Sequence, residues 1–297
     1  MKKIHFVIPG LALIALLSVF IAFVKPFDHL FDPLPQKIFP IKISKELEFA
    51  GEPIPTDYFD IVERLERELL LNSYQHSSMV LHMKLAGRYF PFIEKTFKEQ
   101  GVPEDFKYLA IAESSFRYAT SSAGARGIWQ FRDAAATELG LEVNEFVDER
   151  NHFEKSTLAA AGYLKKMKAR FGSWILAAAA YNMGPTALAK SMEEQKEDNF
   201  FDLNLSEETN RYLFRILAIR EIMAEPEKFG YYLKPDDLYR PLDQVEKIVV
   251  DTTISSLADF AHQNQITYRQ LKLFNPWLLK TSLPNKDSRP YELAIPR

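Results

Sequence analysis

The chain has 297 residues, enough for one or two domains, and 47% of them are hydrophobic, which excludes an intrinsically disordered protein. Its net charge of -3 comes without any block of Lys or Arg, so the basic surface needed for nucleic-acid binding is missing and no nucleic-acid partner is expected. The absence of cysteine excludes disulfides, thiolate metal sites, a cysteine nucleophile and a lipid-modified N-terminal cysteine.

The N-terminus has the features of a membrane anchor. Lys2 and Lys3 precede an uncharged, mainly apolar stretch over residues 4–24, about as long as the ~20 residues that a helix needs to cross a bilayer. We expect residues 1–25 to be an inner-membrane anchor, with the two lysines in the cytoplasm and the following chain in the periplasm. A cleaved signal peptide is the alternative, although the stretch is long and lacks a clear cleavage site.

The next two segments differ sharply in pattern. Residues 26–55 contain six prolines and little helical periodicity, which predicts an extended linker. Residues 56–225 are helical in pattern throughout, which predicts a compact all-α domain. Its first helix runs through Ile61, Leu65 and Leu69, with Thr56 or Asp57 as the expected cap. The later helices are expected at about 77–100, from Pro103 onward, and at about 133–139, 153–171, 174–182 and 206–223.

The pattern changes again after Met223. Prolines punctuate residues 226–244, which we interpret as a second linker. Residues 245–297 are predicted to form a small α+β module with a strand at 247–250, helices at 255–263 and 268–273, and a closing strand at 291–295.

The helix after Pro103 carries a carboxylate on its buried face. Phe106, Leu109, Ala110 and Glu113 stand at spacings 0, 3, 4 and 7, which is one face of a helix. Burial removes hydration from the carboxylate and the helix C-terminus adds a negative dipole, so both raise its pKa and suit a general acid. On the helix pattern alone, a Glu paired with an Arg or lying at the surface is the commoner explanation.

Two segments downstream give Glu113 a context. Glu113-Ser114 is followed by a stretch over residues 121–130 that ends in Gly127-Ile128-Trp129-Gln130, and later by Ala180-Tyr181-Asn182. Together these resemble the Glu-Ser, Gly-x-x-Gln and Ala-Tyr-Asn signature of the lytic transglycosylases related to goose-type lysozyme, the SLT domain of glycoside hydrolase family 23.

Within that family the chain resembles the membrane-bound transglycosylase D group. Residues 63–68 and 103–109 look like that group's sequence before the catalytic Glu, and the resemblance covers roughly residues 51–223. That group often carries a lipidated cysteine, which this chain lacks, so an outer-membrane location is not carried over.

The resemblance implies a lysozyme-like fold and a specific reaction. The substrate would be the glycan strands of peptidoglycan, cut between N-acetylmuramic acid and N-acetylglucosamine with formation of a 1,6-anhydro ring. Glu113 would be the single catalytic acid and base, with no metal and no cofactor. Four other acids are expected to be solvated or to cap helices: Asp133, Glu138, Asp148 and Glu149. The alternatives are a hydrolase with a second carboxylate and a scaffold that binds glycan without cutting it.

The resemblance also assigns the substrate-binding residues. Gly124 and Gly127 would let the backbone approach the sugar, and Tyr181 would orient Glu113. Asn182 would bind the sugar or hold its loop, and Glu208 would reach the substrate, although an acid at a helix N-terminus explains Glu208 nearly as well. Direct sugar contacts are expected from Ser121 and Gln130, and Ile128 and Trp129 would form an apolar wall or plain core.

The C-terminal segment resembles a LysM peptidoglycan-binding module. The best features of the match are Asn275-Pro276 and the closing Ile295-Pro296. The glycines usual in such modules are missing, so a small packing appendage of the helical domain is the alternative.

Overall fold

The structure is a computed structural model that describes residues 40, 41, 43 and 46–297. The predicted membrane anchor and the first 14 residues of the predicted first linker, together residues 1–39, lie outside these described residues. Within the described part of the chain, no helix combines the length and apolar character needed to cross a membrane.

A β-hairpin stands where the end of the first linker was predicted. Strand β1 (Leu47–Phe49) pairs antiparallel with β2 (Glu52–Ile54), and the side chains of Leu47, Phe49 and Ile54 are buried in the core of the helical domain. The predicted linker boundary at residue 55 is therefore wrong. Strands of three residues are too short to show an alternating pattern, and the prolines of this stretch, among them Pro53 and Pro55, predicted a linker.

The hairpin is tied to two later segments. The Ala50 amide donates to the Asp105 carboxylate at 2.6 Å. Glu52 accepts hydrogen bonds from the Ser173 hydroxyl at 2.5 Å and from the amide of Ile175 at 3.3 Å, at the start of a later helix. A carboxylate at a helix N-terminus is favourably placed, so the hairpin belongs to the folded domain.

Helices make up the rest of this domain, as predicted. They are α1 (Phe59–Ser73), α2 (His76–Gln100), α3 (Leu109–Ser114), α4 (Asp133–Glu138), α5 (Phe153–Phe171), α6 (Trp174–Met183), α7 (Pro185–Gln195) and α8 (Glu207–Ala224). Helix α1 packs on α8, and α5 packs on α6, which in turn contacts α8.

Three local details differ from expectation. The N-cap of α1 is Tyr58, and no side chain caps it, so neither Thr56 nor Asp57 plays that part. The segment after Pro103 starts as a 3-10 helix over Glu104–Tyr108 before α3 begins. Helix α7 was not predicted, because Gly184-Pro185 reads as a helix end; Pro185 instead occupies the first turn of a new helix, where its fixed φ is favourable.

The C-terminal module has the predicted order of elements. Strand β3 (Val245–Val250) pairs antiparallel with β4 (Tyr291–Pro296), and α9 (Leu257–Gln263) and α10 (Tyr268–Phe274) lie between them in sequence. The module has its own core, which includes Leu257, Ala261, Leu271, Leu293 and Ile295. Asn275 is 1% exposed and exchanges two hydrogen bonds with the backbone of Ala294 in β4.

The second predicted linker is held against α2. The Tyr239 amide donates to the carbonyl of Lys84 at 2.9 Å, and Lys84 and Arg88 each lie 5.2 Å from the centre of the Tyr239 ring. A Cβ at Gly87 would come within 2.8 Å of Leu238 Cβ, so the glycine allows this close approach. The segment therefore packs as part of the fold.

Candidate active site

Glu113 is the penultimate residue of α3, and the turn that follows is strained. Ser115 and Phe116 both adopt the left-handed region, with φ of 54° and 58°. This conformation costs of order 1–3 kcal/mol for a residue other than glycine, so surrounding contacts must support it. Phe116 is buried and stacks on Tyr89, and the Ser114 hydroxyl donates to the Ile128 carbonyl at 2.8 Å. The position of Glu113 is thereby fixed from both sides of the turn.

The environment of Glu113 favours its protonated form. The pKa of the carboxyl is raised from 4.5 to about 7. Burial is the largest cause and the charge of Glu208 adds to it, whereas a hydrogen bond from Tyr212 and the charge of Arg215 lower the pKa. The Tyr212 hydroxyl, itself buried, donates directly to Glu113 Oε1. A carboxylic acid with a pKa near 7 can both donate and accept a proton at neutral pH.

One face of α8 supplies the groups around this carboxyl. Glu208, Tyr212 and Arg215 stand at spacings 0, 4 and 7 and so share that face. Arg215 pairs with Glu208 at 3.1 Å and lies 3.8 Å from the buried carboxylate of Glu68. Glu208 also follows Ser206, whose side chain caps α8, so Glu208 lies in the first turn of a helix, and its charge raises the pKa of Glu113.

Tyr181 is close to Glu113 but bonds elsewhere. Its hydroxyl donates to the Trp129 carbonyl at 2.7 Å, while the charge of Glu113 contributes to the raised pKa of Tyr181. The predicted role of Tyr181, to orient Glu113, is filled by Tyr212. The reason is geometric, since the hydroxyl of Tyr181 donates to the carbonyl of Trp129, whereas the hydroxyl of Tyr212 donates to Glu113.

The site loop, residues 119–131, carries three of the predicted contacts. Gln130 has a φ of 51°, and its Nε2 donates to the carbonyls of Ala119 and Gly127 at 3.1 and 2.8 Å. Both amide hydrogens of Gln130 thus close the loop. Ser121 and Gly124 are exposed, and the Ser121 hydroxyl accepts from the Ala125 amide at 3.0 Å.

Residues 127–129 of the site loop are buried in the core of the helical domain. Trp129 and Ile128 are fully buried, and the Trp129 indole donates to the Thr157 hydroxyl at 3.0 Å, so the apolar-wall alternative is wrong. Gly127 has a φ of 81°, and a Cβ built on it would lie 1.9 Å from the Arg150 carbonyl oxygen. The expectation that Gly127 lets the backbone approach a sugar is therefore corrected. The glycine instead lets the site loop pack against the backbone of Arg150.

Asn182 joins the ends of two helices. Its Oδ1 accepts from the Thr209 hydroxyl at 2.9 Å, which links the end of α6 to the first turn of α8. Of the two predicted roles, the observed contact is the one that holds the loop.

The four acids expected to be solvated divide into two pairs. Asp133 and Glu138 are 72% and 67% exposed and pair with Arg150 and Lys166, as expected. Asp148 and Glu149 are both buried, so neither is solvated. Asp148 does cap a helix, because its carboxylate accepts from the Arg150 amide at 3.2 Å at the start of a 3-10 helix over Glu149–Asn151, and the prediction is therefore wrong for Glu149 alone. Asp148 accepts from Arg150, two residues away, and Glu149 from the Glu142 amide, so ion pairing and hydrogen bonds compensate their burial.

The prediction from sequence missed Tyr212 and Arg215. A signal was present, because both follow Glu208 at helical spacing on a helix that was itself predicted.

Removing the Tyr212 hydroxyl provides a test. We expect Tyr212→Phe to raise the pKa of the Glu113 carboxyl further, since the lost hydrogen bond stabilises the ionised form. The free energy of unfolding should fall by about 1 kcal/mol.

The pKa of Glu113 can be followed by NMR of protein labelled with ¹³C at the glutamate carboxyls. Tyr163→Phe is the matched control, because that ring packs against Tyr181 at 5.4 Å and does not bond to Glu113. A pKa that stays constant or falls in Tyr212→Phe would contradict this account of the site.

Comparisons with known proteins show two family matches along the chain. Residues 90–204 match the family described as transglycosylase SLT domain, and residues 246–297 match the soluble lytic transglycosylase C-terminal LysM-like domain. The first match contains Glu113, Gln130, Tyr181 and Asn182, and it ends before α8.

Two curated relatives carry the same name. The membrane-bound lytic murein transglycosylase D of Escherichia coli strain K12 is 29% identical over 243 residues, which cover 80% of this chain and 52% of the relative. The protein of the same name from Escherichia coli O6:H1 strain CFT073 gives the same values. The chain thus spans about half the length of these relatives. A solved structure, the 70 kDa soluble lytic transglycosylase of Escherichia coli, is 20% identical over 52% of this chain and 27% of that chain, with a TM-score of 0.41.

The arrangement around Glu113, the match of the helical domain and the match of the C-terminal module all lead to one assignment. The chain contains a transglycosylase SLT domain followed by a LysM-like C-terminal domain, and it is a homologue of membrane-bound lytic murein transglycosylase D.

Proposed function

We propose that this protein is a lytic transglycosylase that cleaves the β-1,4 bond between N-acetylmuramic acid and N-acetylglucosamine in peptidoglycan. The observation that carries the proposal is the state of Glu113. A partly buried carboxyl with a pKa of about 7, hydrogen-bonded by Tyr212 inside an SLT domain, is matched to proton transfer in both directions.

The proposed reaction uses Glu113 twice. Protonated Glu113 gives its proton to the glycosidic oxygen, the bond from that oxygen to C1 of the muramic residue breaks, and the N-acetylglucosamine leaves with a hydroxyl. The ionised carboxylate then takes the proton of the muramic C6 hydroxyl while O6 bonds to C1, which closes the 1,6-anhydro ring. Glu113 ends protonated, no water is consumed, and the scheme uses no cofactor.

The remaining site residues would hold the glycan. The exposed Ser121 and Gly124 and the side-chain carbonyl of Gln130 lie on the site loop and are proposed to contact the sugar. Tyr181 and Asn182 are proposed to line the same site from the end of α6, since Tyr181 interacts with Glu113 and Asn182 bonds to the first turn of α8.

Digestion of purified sacculi tests the reaction class. We expect mass spectrometry of the released muropeptides to detect 1,6-anhydro ends. Reducing ends would instead mean hydrolysis, and no released product from the wild-type protein would mean a glycan-binding scaffold.

Hydrolysis is the second candidate because of Glu208. This carboxylate interacts electrostatically with Glu113, and a hydrolase needs a second acid that activates water or attacks the sugar. Under the transglycosylase proposal, Glu208→Gln should keep activity within about tenfold, because Glu208 acts on the proton affinity of Glu113 and takes no proton itself.

The charge of Glu208 raises the pKa of Glu113, so its removal should also shift the alkaline limb of the activity profile to lower pH. Glu207→Gln is the control, because Glu207 pairs with Arg67 and is absent from the groups that shift the pKa of Glu113. A loss of more than about 10³-fold in Glu208→Gln alone would favour the hydrolase.

We also propose a location and a second contact with the substrate. The apolar stretch of residues 4–24 would tether the protein to the inner membrane and leave residues 26–297 in the periplasm, next to the peptidoglycan. The name of the relatives, membrane-bound lytic murein transglycosylase D, agrees with a place in the cell envelope. The LysM-like module would bind glycan strands beside the helical domain.

A further inference from the structure

The C-terminal module and the site loop are both attached to one segment of the helical domain, residues 141–152, which we call the connector. On its module side, the Val147 side chain is 1% exposed and belongs to the module's own core. The Asp148 amide donates to the Trp277 carbonyl at 2.9 Å, and the Leu279 amide donates to the Phe146 carbonyl at 2.8 Å. The connector therefore pairs with the module through its backbone.

Side chains reinforce this attachment at the start of the connector. Glu142 is 17% exposed and accepts hydrogen bonds from Tyr291 at 3.0 Å and from Arg289 at 2.9 Å. Both donors belong to the module, and Tyr291 begins β4. The ring of Trp277 lies between those of His152 and Tyr291, stacked on each at 5.7 and 5.8 Å.

On its other side, the connector holds the site loop through Asp148. The Asp148 carboxylate is 1% exposed and accepts from Arg150 through Nε and Nη2, both at 2.8 Å, and from Arg126 at 2.8 Å. Arg126 belongs to the site loop. Arg150 Nη1 also donates to the carbonyls of Gly124 and Phe131, at 3.1 and 3.3 Å.

Asp148 is thus held by the module through its backbone and holds the site loop through its side chain. We infer that the LysM-like module is a positioning element for residues 119–131, and that Asp148 is the positioning residue that connects them. Its effect on glycan cleavage rests on the proposed function, whereas its effect on the order of the site loop does not.

Two variants of the full chain separate the steps of this connection. Asp148→Asn weakens the ion pairs to Arg126 and Arg150 while keeping the size of the side chain. The double variant Arg289→Gln/Tyr291→Phe removes the module's side-chain contacts to Glu142 and substitutes no residue of the site loop. Lys280→Gln is the matched control, because Lys280 pairs with Glu145 of the connector through two exposed side chains.

Hydrogen exchange followed by mass spectrometry is the measurement. We expect amides of residues 119–131 to exchange about tenfold faster in Asp148→Asn and in the double variant, with α2 unchanged, and Lys280→Gln to behave as the wild type. On glycan, we expect KM to rise about tenfold in both variants, with a smaller fall in kcat. The alkaline midpoint of activity should stay unchanged, because the side chains that act on the pKa of Glu113 lie on α8 and not on the site loop.

The outcomes separate this inference from the proposed function. Unchanged exchange of the site loop in the double variant, or a uniform increase along the whole chain, would overturn the inference whatever the activity. Should Asp148→Asn not fold, the double variant alone still decides. If sacculi released no anhydro ends while exchange of the site loop rose in both variants, the proposed function would fail and the positioning role would stand.

Discussion

Replacing Glu113 by Gln should reduce the release of anhydro-muropeptides by at least about 10²–10⁴-fold, the range attributed to general acid–base catalysis. The amide neither donates a proton to the glycosidic oxygen nor takes one from the C6 hydroxyl, so both proposed steps lose their group. Release can be measured by mass spectrometry after digestion of sacculi. Glu138→Gln is the control, because Glu138 is 67% exposed and pairs with Lys166, and it should act as the wild type.

The same substitution should change stability in a pH-dependent way. In the folded protein the pKa of Glu113 is about 7, against 4.5 for an ordinary Glu, so between these values the folded state binds more protons than the unfolded state. Stability of the wild type therefore falls as pH rises through this window. By linkage, the free energy of unfolding of the wild type is lower by roughly 2–3 kcal/mol at pH 8 than at pH 4 because of this one carboxyl.

Because Gln does not ionise, Glu113→Gln should escape this loss. We expect its free energy of unfolding, relative to the wild type, to rise by roughly 2–3 kcal/mol between pH 4 and pH 8, as measured by urea unfolding. A gain in stability on removing a catalytic group is common where the site holds that group at a cost to folding. An equal difference at both pH values would contradict the raised pKa, and retained release of product would refute the catalytic assignment.

Gly127→Ala should cause the largest loss of stability among the variants considered. A Cβ at this position would lie 1.9 Å from the Arg150 carbonyl oxygen, a distance no packed structure tolerates, and φ is 81°. The left-handed conformation alone costs about 1–2 kcal/mol, and the displacement of backbone should bring the total to at least about 3 kcal/mol. Urea unfolding at fixed pH measures this loss in the free energy of unfolding.

Gly124→Ala is the matched control on the same loop. Gly124 has a similar φ of 78°, but nothing lies within 4 Å of its Cβ position. The free energy of unfolding of Gly124→Ala should fall by about 1–2 kcal/mol, from the backbone conformation alone. Equal losses in the two variants would mean that the contact with residue 150 does not decide the role of Gly127.

Much of the fold could be predicted from local sequence patterns. Apolar residues recurring at 3 and 4 positions predicted most of the helices, and the change of pattern after Met223 predicted the β-α-α-β order of the module. Elements with weak local sequence signals were not predicted. The hairpin of β1 and β2 has three-residue strands, and its Phe49 is recognisable as core only once it packs against Phe106 at 5.1 Å. Helix α7 begins at a Gly-Pro pair that ordinarily ends helices.

The site divides in the same way. The spacing of apolar residues predicted that Glu113 stands on the apolar face of a helix, and a family signature marked Gln130, Tyr181 and Asn182 as further site residues. The groups that act on that carboxyl are brought to it by folding and could not be predicted from local patterns. Tyr212 is 99 positions away from Glu113 along the chain, and Asp148 contacts both Arg126 of the site loop and Trp277 of the C-terminal module. A pKa depends on burial and on charges brought close by folding, and neither is a property of the neighbouring residues in the sequence.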